Sequence, residues 1–328
     1  MRRITTRQAI NETLRYQLEK DPNVMMMGED IAFYGGSLKV TSGLYDAFGP
    51  ERIRDTPLSE SAIIGAGVGA AMMGLRPVVE LTYIDFSFVS MDQILNQAAK
   101  WQYMTAGSIK VPLVIRTQGG GYRGNGAQHS QSLEAFFTHI PGLVVCMPST
   151  PFDFAGLLNS AIEDDNPAIF IEHKLLYNMR GVFPDKGTAL RIPFGCADIK
   201  REGCDITVIA YSYMVHKALE AANILEAEGI SAEIVDPRTL NPMDYETILA
   251  SVAKTGRAMV VSEAHNNGSF AKQISSRISE EMFGRLKAPV KCVCALDVPI
   301  PYAKSLEEYM LPDAGNIAAC AREIMAYK

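Results

Sequence analysis

Short apolar runs rich in β-branched residues alternate with helical patterns along the whole chain, and this alternation limits the fold more than any other feature. It is the pattern of βαβ units and parallel sheets. Candidate strands lie at 24–28, 77–83, 111–117, 143–147 and 168–172, with amphipathic segments at 91–101 and 152–163 among them. Several strands are apolar throughout, as parallel strands are when helices cover both faces of the sheet. Residues 178–193 lose the periodicity and collect Gly, Pro and charge. The alternation then resumes, with strands at 206–211, 232–236, 258–262 and 290–296 and helices at 215–228, 244–254 and 270–283. At 328 residues the chain exceeds the roughly 250 to 300 at which one hydrophobic core stops growing. The expectation is an α/β protein of two domains, 1–185 and 201–328, joined by a linker at 186–200, with parallel or mostly parallel sheets covered by helices on both faces.

Charge narrows the partners. Thirty-one basic against 37 acidic side chains leave a net charge of −6, mixed along the length, which argues against nucleic acid and anionic membrane. No run approaches the roughly 18 to 20 apolar residues of a membrane span. The basic start, Met1-Arg-Arg-Ile, continues into a helical pattern that Thr5 or Thr6 can cap, so a secretory signal is not expected and a cytoplasmic protein is. The six cysteines lack metal-ligand spacing and suit a reducing compartment as free thiols.

Few motifs carry chemistry by themselves. Residues 65–70, Gly-Ala-Gly-Val-Gly-Ala, satisfy G-x-G-x-x-A, but no apolar strand precedes them, so a helix whose small residues allow close packing is the better reading. The Gly-rich loop at 119–126 follows a strand, at the strand end where parallel sheets bind ligands, and Gln128-His129-Ser130-Gln131 comes directly after it. His129 is therefore the leading acid–base candidate, with His173 and His265 as further rim residues. Glu60, between two serines at a helix start, reads on local physics as a capping or first-turn carboxylate.

Taken in order, Asp55-Thr-Pro-Leu-Ser-Glu60, the small-residue helix running into Ala70-Ala-Met-Met-Gly-Leu-Arg-Pro77, Asp92-Gln-Ile-Leu-Asn-Gln97, the 128–131 motif and Pro299-Ile-Pro-Tyr-Ala-Lys304 carry a resemblance. The chain resembles, from about residue 4 onward, the β subunit of the thiamine-diphosphate-dependent first component of 2-oxo acid dehydrogenase complexes. That group includes the pyruvate, acetoin and branched-chain 2-oxo acid enzymes. The resemblance implies a transketolase-like pyrimidine-binding domain followed by a transketolase C-terminal domain. It implies an α2β2 heterotetramer in which α and β share thiamine diphosphate, and in which α binds Mg²⁺ through a Gly-Asp-Gly motif that this chain lacks. It further implies docking to a dihydrolipoyl acyltransferase core.

By the same resemblance Glu60 is the carboxylate that hydrogen-bonds the aminopyrimidine ring nitrogen, which reverses the capping reading. Phe86 and Leu58 would contact the cofactor. His129 would stand near the substrate carbons, where an imidazole can give and take a proton. Some relatives hold K⁺ at positions matching Leu113, Ala161, Ile162, Asp164 and Asn166. The expected activity is oxidative decarboxylation of pyruvate with reductive acylation of a lipoyl domain; acetoin cleavage and a branched-chain 2-oxo acid are the alternatives. A noncatalytic docking role is a reading from another class, and NAD-dependent dehydrogenation is a remote third.

Overall fold

A computed structural model describes residues 1–185 and 190–327, so the first four residues of the expected linker, 186–189, lie outside the described residues. The chain forms two units that are not contiguous blocks of sequence. One comprises Met1–Gly119 with Phe136–Phe194, and the other Gly120–Ala135 with Gly195–Lys328. The segment 120–135 thus leaves the first unit, joins the second and returns.

In chain order the first unit contains β1 (Arg2–Thr5), α1 (Thr6–Lys20), β2 (Val24–Gly28), α2 (Leu44–Phe48), β3 (Ile53–Asp55), α3 (Glu60–Met72), β4 (Arg76–Leu81), α4 (Trp101–Met104) and β5 (Val114–Gly119). The excursion ends within α5 (Glu134–Thr138), whose first two residues belong to the second unit, and then come β6 (Val144–Cys146), α6 (Pro151–Glu163), β7 (Ala168–His173) and β8 (Arg180–Phe183). Within this unit the strands pair in the order β6-β7-β5-β4-β2-β3, all parallel. Every residue of β2, β5 and β7 is buried, including Arg116 of β5 and Glu172 of β7, which are paired with each other.

Local chemistry sets the helix ends. Thr5 caps α1 and forms a capping box with Gln8, while Thr150 caps α6 with Pro151 in its first turn. The small residues of α3 allow close approach to the sheet: a Cβ on Gly67 would stand 2.9 Å from Val79 Cγ1 and 3.0 Å from Leu113 Cδ1. Two features depart from the sequence pattern. β1 pairs antiparallel with β8 inside the stretch read as aperiodic, since a four-residue ribbon burying only Ile4 and Phe183 leaves almost no periodic trace. The expected helix at 91–101 is a π-helical segment at 93–98 followed by the separate α4.

The second unit contains β9 (Asp198–Arg201), β10 (Ile206–Ala210), α7 (Met214–Glu226), β11 (Ala232–Asp236), β12 (Thr239–Asn241), α8 (Tyr245–Thr255), β13 (Ala258–His265), α9 (Phe270–Glu281), β14 (Lys291–Ala295), α10 (Lys304–Met310) and α11 (Ala314–Met325). Its sheet runs β14-β13-β10-β11-β9, parallel except for β9 at the edge. Val208, Ile234 and Val261 of the sheet pack with Ala218, Leu225, Ile317 and Ala321 of α7 and α11 in one core. Burial pushes the Cys294 thiol on β14 up to about 11, as befits an unreactive free cysteine. Among the described residues no helix is long and apolar enough to cross a membrane.

Candidate functional site

In the first unit the chain runs outward from β2 to β3 and then returns through α3 to β4 on the other side of β2. The crevice at the carboxyl ends of β2 and β4 is therefore the topological switch point of the sheet, where parallel α/β folds bind ligands. Glu29 follows β2 directly, and the Thr56 backbone N–H donates to Gly28 O at 3.0 Å, tying the turn after β3 to the end of β2. Asp55 Oδ1 accepts from the Ala32 N–H at 2.7 Å and fixes the opposite lip. Glu60 opens α3. Ser59 is the N-cap residue but makes no side-chain cap bond, so Glu60 occupies the first turn, where the helix dipole favours a carboxylate. Ser61 Oγ donates to Val89 O, binding the start of α3 to the 3₁₀ segment 84–90 that carries the half-buried Phe86. Leu58, two residues before Glu60, is solvent-exposed.

The electrostatics of this rim are acidic. Burial, and then the charges of Glu60, Asp30 and Glu80, push the Glu29 carboxyl up to about 6. Beneath it Arg116 on β5 is fully buried, bidentate to Glu172 on β7 at 2.7 and 2.8 Å and bonded to Glu80 on β4 at 2.6 Å. Tyr177 donates its hydroxyl to the same Glu172. These bonds hold the Glu80 and Glu172 side chains in place under the crevice, and burial pushes the Glu172 carboxyl up. Glu29 Oε1 and Thr56 Oγ1 are buried and have no partner among the described residues. A ring that presents N–H donors would satisfy such acceptors, so the residues present fit an aminopyrimidine.

In the second unit the Gly-rich loop is closed by a bond from Gly120 N–H to Gln131 O at 3.2 Å, and His129 lies two residues before that closure. Gly121 N–H donates to Glu263 Oε1 at 2.5 Å; Arg123 and Gly124 N–H donate to the two oxygens of Glu307 at 3.3 and 2.8 Å. Tyr122, at φ +64°, donates its hydroxyl to Pro312 O and stacks edge-on with Tyr213 at 5.3 Å. Glu134 is buried, its carboxyl pushed up by burial although Tyr211 and Ser262 donate to it at 3.0 and 3.1 Å. A Cβ on Gly126 would stand 2.4 Å from the Tyr302 ring, so the Gly-rich loop and the 299–304 motif meet. Beside that meeting lies a cavity of about 410 Å³ lined by Ala127, Gln131, His265, Asn267, Asp297, Val298, Pro299 and Ile300.

The structure thus places Leu58, Glu60 and Phe86 in the first unit and His129 in the second. Of the other rim histidines, His265 lines the cavity with its Nδ1 bonded to Leu296 O at 2.8 Å, while His173 Nδ1 accepts the Leu175 N–H and caps a turn. Sequence reasoning missed Glu29, although a carboxylate directly after a buried strand was a usable signal. It also missed Glu134, Glu263 and Glu307, whose partners lie far away in sequence. The potassium positions gather around the end of α6. There Arg76 Nη1 donates to Ile162 O at 3.1 Å and Asp164 O at 2.9 Å, Asp164 Oδ1 accepts from the Asn166 backbone and amide, and Leu113 O accepts from Ala168 N–H. Each carbonyl keeps one lone pair, so an ion would share them with the guanidinium.

Comparison with known proteins matches residues 2–180 to the family described as transketolase, pyrimidine binding domain, and residues 195–317 to transketolase, C-terminal domain. Acetoin:2,6-dichlorophenolindophenol oxidoreductase subunit beta of Cupriavidus necator is 49% identical, covering 99% of this chain and 98% of its own. The 2-oxoisovalerate dehydrogenase subunit beta of Bacillus subtilis is 43% identical over 97% and 98%. The pyruvate dehydrogenase E1 component subunit beta of Rickettsia felis is 40% identical over 99% of each chain. Among solved structures a split-gene transketolase superposes with a TM-score of 0.81 at 24% identity over 99% of both chains, which speaks to the fold alone.

Proposed function

Since the chain belongs to the transketolase-type family that includes the β subunits of pyruvate, acetoin and 2-oxoisovalerate dehydrogenases, we propose that it is the β subunit of a thiamine-diphosphate-dependent 2-oxo acid dehydrogenase acting on pyruvate. The observation that carries this reading is the Glu60 carboxylate at the switch-point crevice, beside buried oxygens of Glu29 and Thr56 that lack partners among the described residues. When bound, thiamine diphosphate supplies the electron sink next to the substrate carbonyl. Glu60 hydrogen-bonds the aminopyrimidine ring nitrogen and holds the proton there. Glu29, partly protonated near neutral pH, limits the repulsion that a second full charge would exert on Glu60. Phe86 and Leu58 give the ring apolar contact and exclude water. His129 gives and takes a proton at the substrate carbons during decarboxylation and transfer of the acyl group to a lipoyl domain.

The partners proposed with this reading are an α subunit in an α2β2 assembly that holds Mg²⁺ and the diphosphate, and a dihydrolipoyl acyltransferase core, all in the cytoplasm. The six free cysteines suit that compartment. Potassium at Leu113, Ala161, Ile162, Asp164 and Asn166 is part of the proposal; it is expected to raise the melting temperature in KCl over that in NaCl, and equal melting in both salts would remove it. Acetoin cleavage is the second reading, favoured by the 49% identity to an acetoin enzyme's subunit against 40% to a pyruvate enzyme's.

The test is turnover by the chain assembled with its α partner, assayed in parallel with pyruvate, acetoin and 2-oxoisovalerate. Glu60→Gln is expected to lower turnover at least 100-fold while α binding persists. Retained turnover in that variant would exclude the role given to Glu60, and no turnover of any of the three substrates by the wild-type assembly would exclude the activity.

A further inference from the structure

Five glycines, at 119, 120, 121, 124 and 126, fall within eight residues just before His129. Glycine gives a chain its greatest conformational freedom, so a loop of this composition does not hold a side chain in place unaided. Here the backbone N–H groups of Gly121, Arg123 and Gly124 all turn onto two carboxylates of the second unit, Glu263 and Glu307. Glu307 is 0% exposed on a helix whose neighbouring side chains face water, Leu306 at 56% and Tyr309 at 78%. It shares the buried face of α10 with Met310, and there its carboxylate meets the N–H groups of the loop. Gly121 leaves no room for slack, since a Cβ there would stand 2.7 Å from Leu311 Cδ1 and 3.3 Å from Glu307 Oε1.

We infer that Glu307, assisted by Glu263, is a positioning residue for His129: its carboxylate holds the glycine loop in the one arrangement that presents the imidazole to the reaction. This rests on the acid–base reading of His129 given above. Three N–H bonds to carboxylate oxygens converge on a loop in which Gly120 N–H also donates to Gln131 O at 3.2 Å and His129 N–H to Gly126 O at 3.4 Å. Misplacing a reacting group by about 1 Å can cost on the order of 100-fold in rate.

The experiment is a double-mutant cycle in the enzyme assembled with its α partner, measuring kcat and KM for the substrate it turns over. Glu307→Ala is expected to lower kcat about 10- to 100-fold with KM within about threefold. In the His129→Gln background the same change is expected to cost less than about twofold, because a residue that acts only through His129 has nothing left to act on. Glu307→Gln, which keeps the volume and one acceptor oxygen, is expected to fall between wild type and Glu307→Ala. It replaces Glu307→Ala in the cycle if that variant does not assemble. An equal loss in both backgrounds, or no loss in either, overturns the positioning role. A fully active His129→Gln enzyme overturns the role of His129 and the positioning inference with it.

Discussion

At the scale of single residues, Glu29 shows what burial beside other acids costs a carboxylate. Its carboxyl ionises near pH 6 in the folded chain against an ordinary value of 4.5. An acid shifted upward stabilises the fold fully below 4.5, and that contribution is lost as the pH rises through 6. At pH 7.5 the folded chain therefore carries the cost of a half-buried charge beside Glu60 and Glu80. Glu29→Gln removes it and is expected to stabilise by about 1 kcal/mol at pH 7.5, after allowance for solvent screening, and by nothing measurable at pH 4. Thermal melts of the two proteins at both pH values check this; equal differences at the two would show that the gain is not electrostatic. Arg116 is the opposite case. Two flanking carboxylates compensate its burial, so it is rigid support for the crevice and not a titrating group.

At the scale of elements, the loop before His129 depends on close approach to the 299–304 motif. Gly126 sits at φ +74°, and a Cβ there would overlap the Tyr302 ring. Gly126→Ala is expected to lower kcat at least tenfold by displacing the loop. Adding Tyr302→Ala should restore part of that loss, because the steric conflict goes while the left-handed backbone cost stays. Steady-state kinetics of the single and double variants decide it, and a double variant no better than Gly126→Ala would mean that Tyr302 does not set the loop. The end of α6 illustrates a second device. Arg76 answers the orphan carbonyls and the negative end of the dipole with a fixed cation.

For the whole molecule, the path of the chain matters more than the count of its domains. Because 120–135 leaves the first unit and is bonded into the second, with both its ends continuing into the first, neither unit can unfold without pulling on that segment. Urea denaturation is therefore expected to be one transition. Trp101, the sole tryptophan and a residue of the first unit, reports on that unit by fluorescence, while far-UV circular dichroism reports on both. Coincident midpoints are expected, and a fluorescence transition clearly separated from the dichroism would show that the two units unfold independently.

Much of this was legible in sequence. Strands read at 24–28 and 232–236 match β2 and β11 residue for residue, because a fully buried parallel strand is a local pattern of apolar residues with sharp ends. The close packing of α3 was likewise visible in its small residues, and the loop carrying His129 does follow a strand, β5. Physics alone read Glu60 as a helix-start carboxylate, and α3 does begin there; only the order of motifs pointed to a cofactor. The tertiary structure alone decided which unit holds 120–135, that Glu29 is driven toward neutrality, and that Glu307 lies on the buried face of α10. Periodicity is a property of neighbouring residues and can be read in a short window. A hydrogen bond between Gly124 and Glu307 spans 183 residues and exists only once the fold has brought the loop and α10 together.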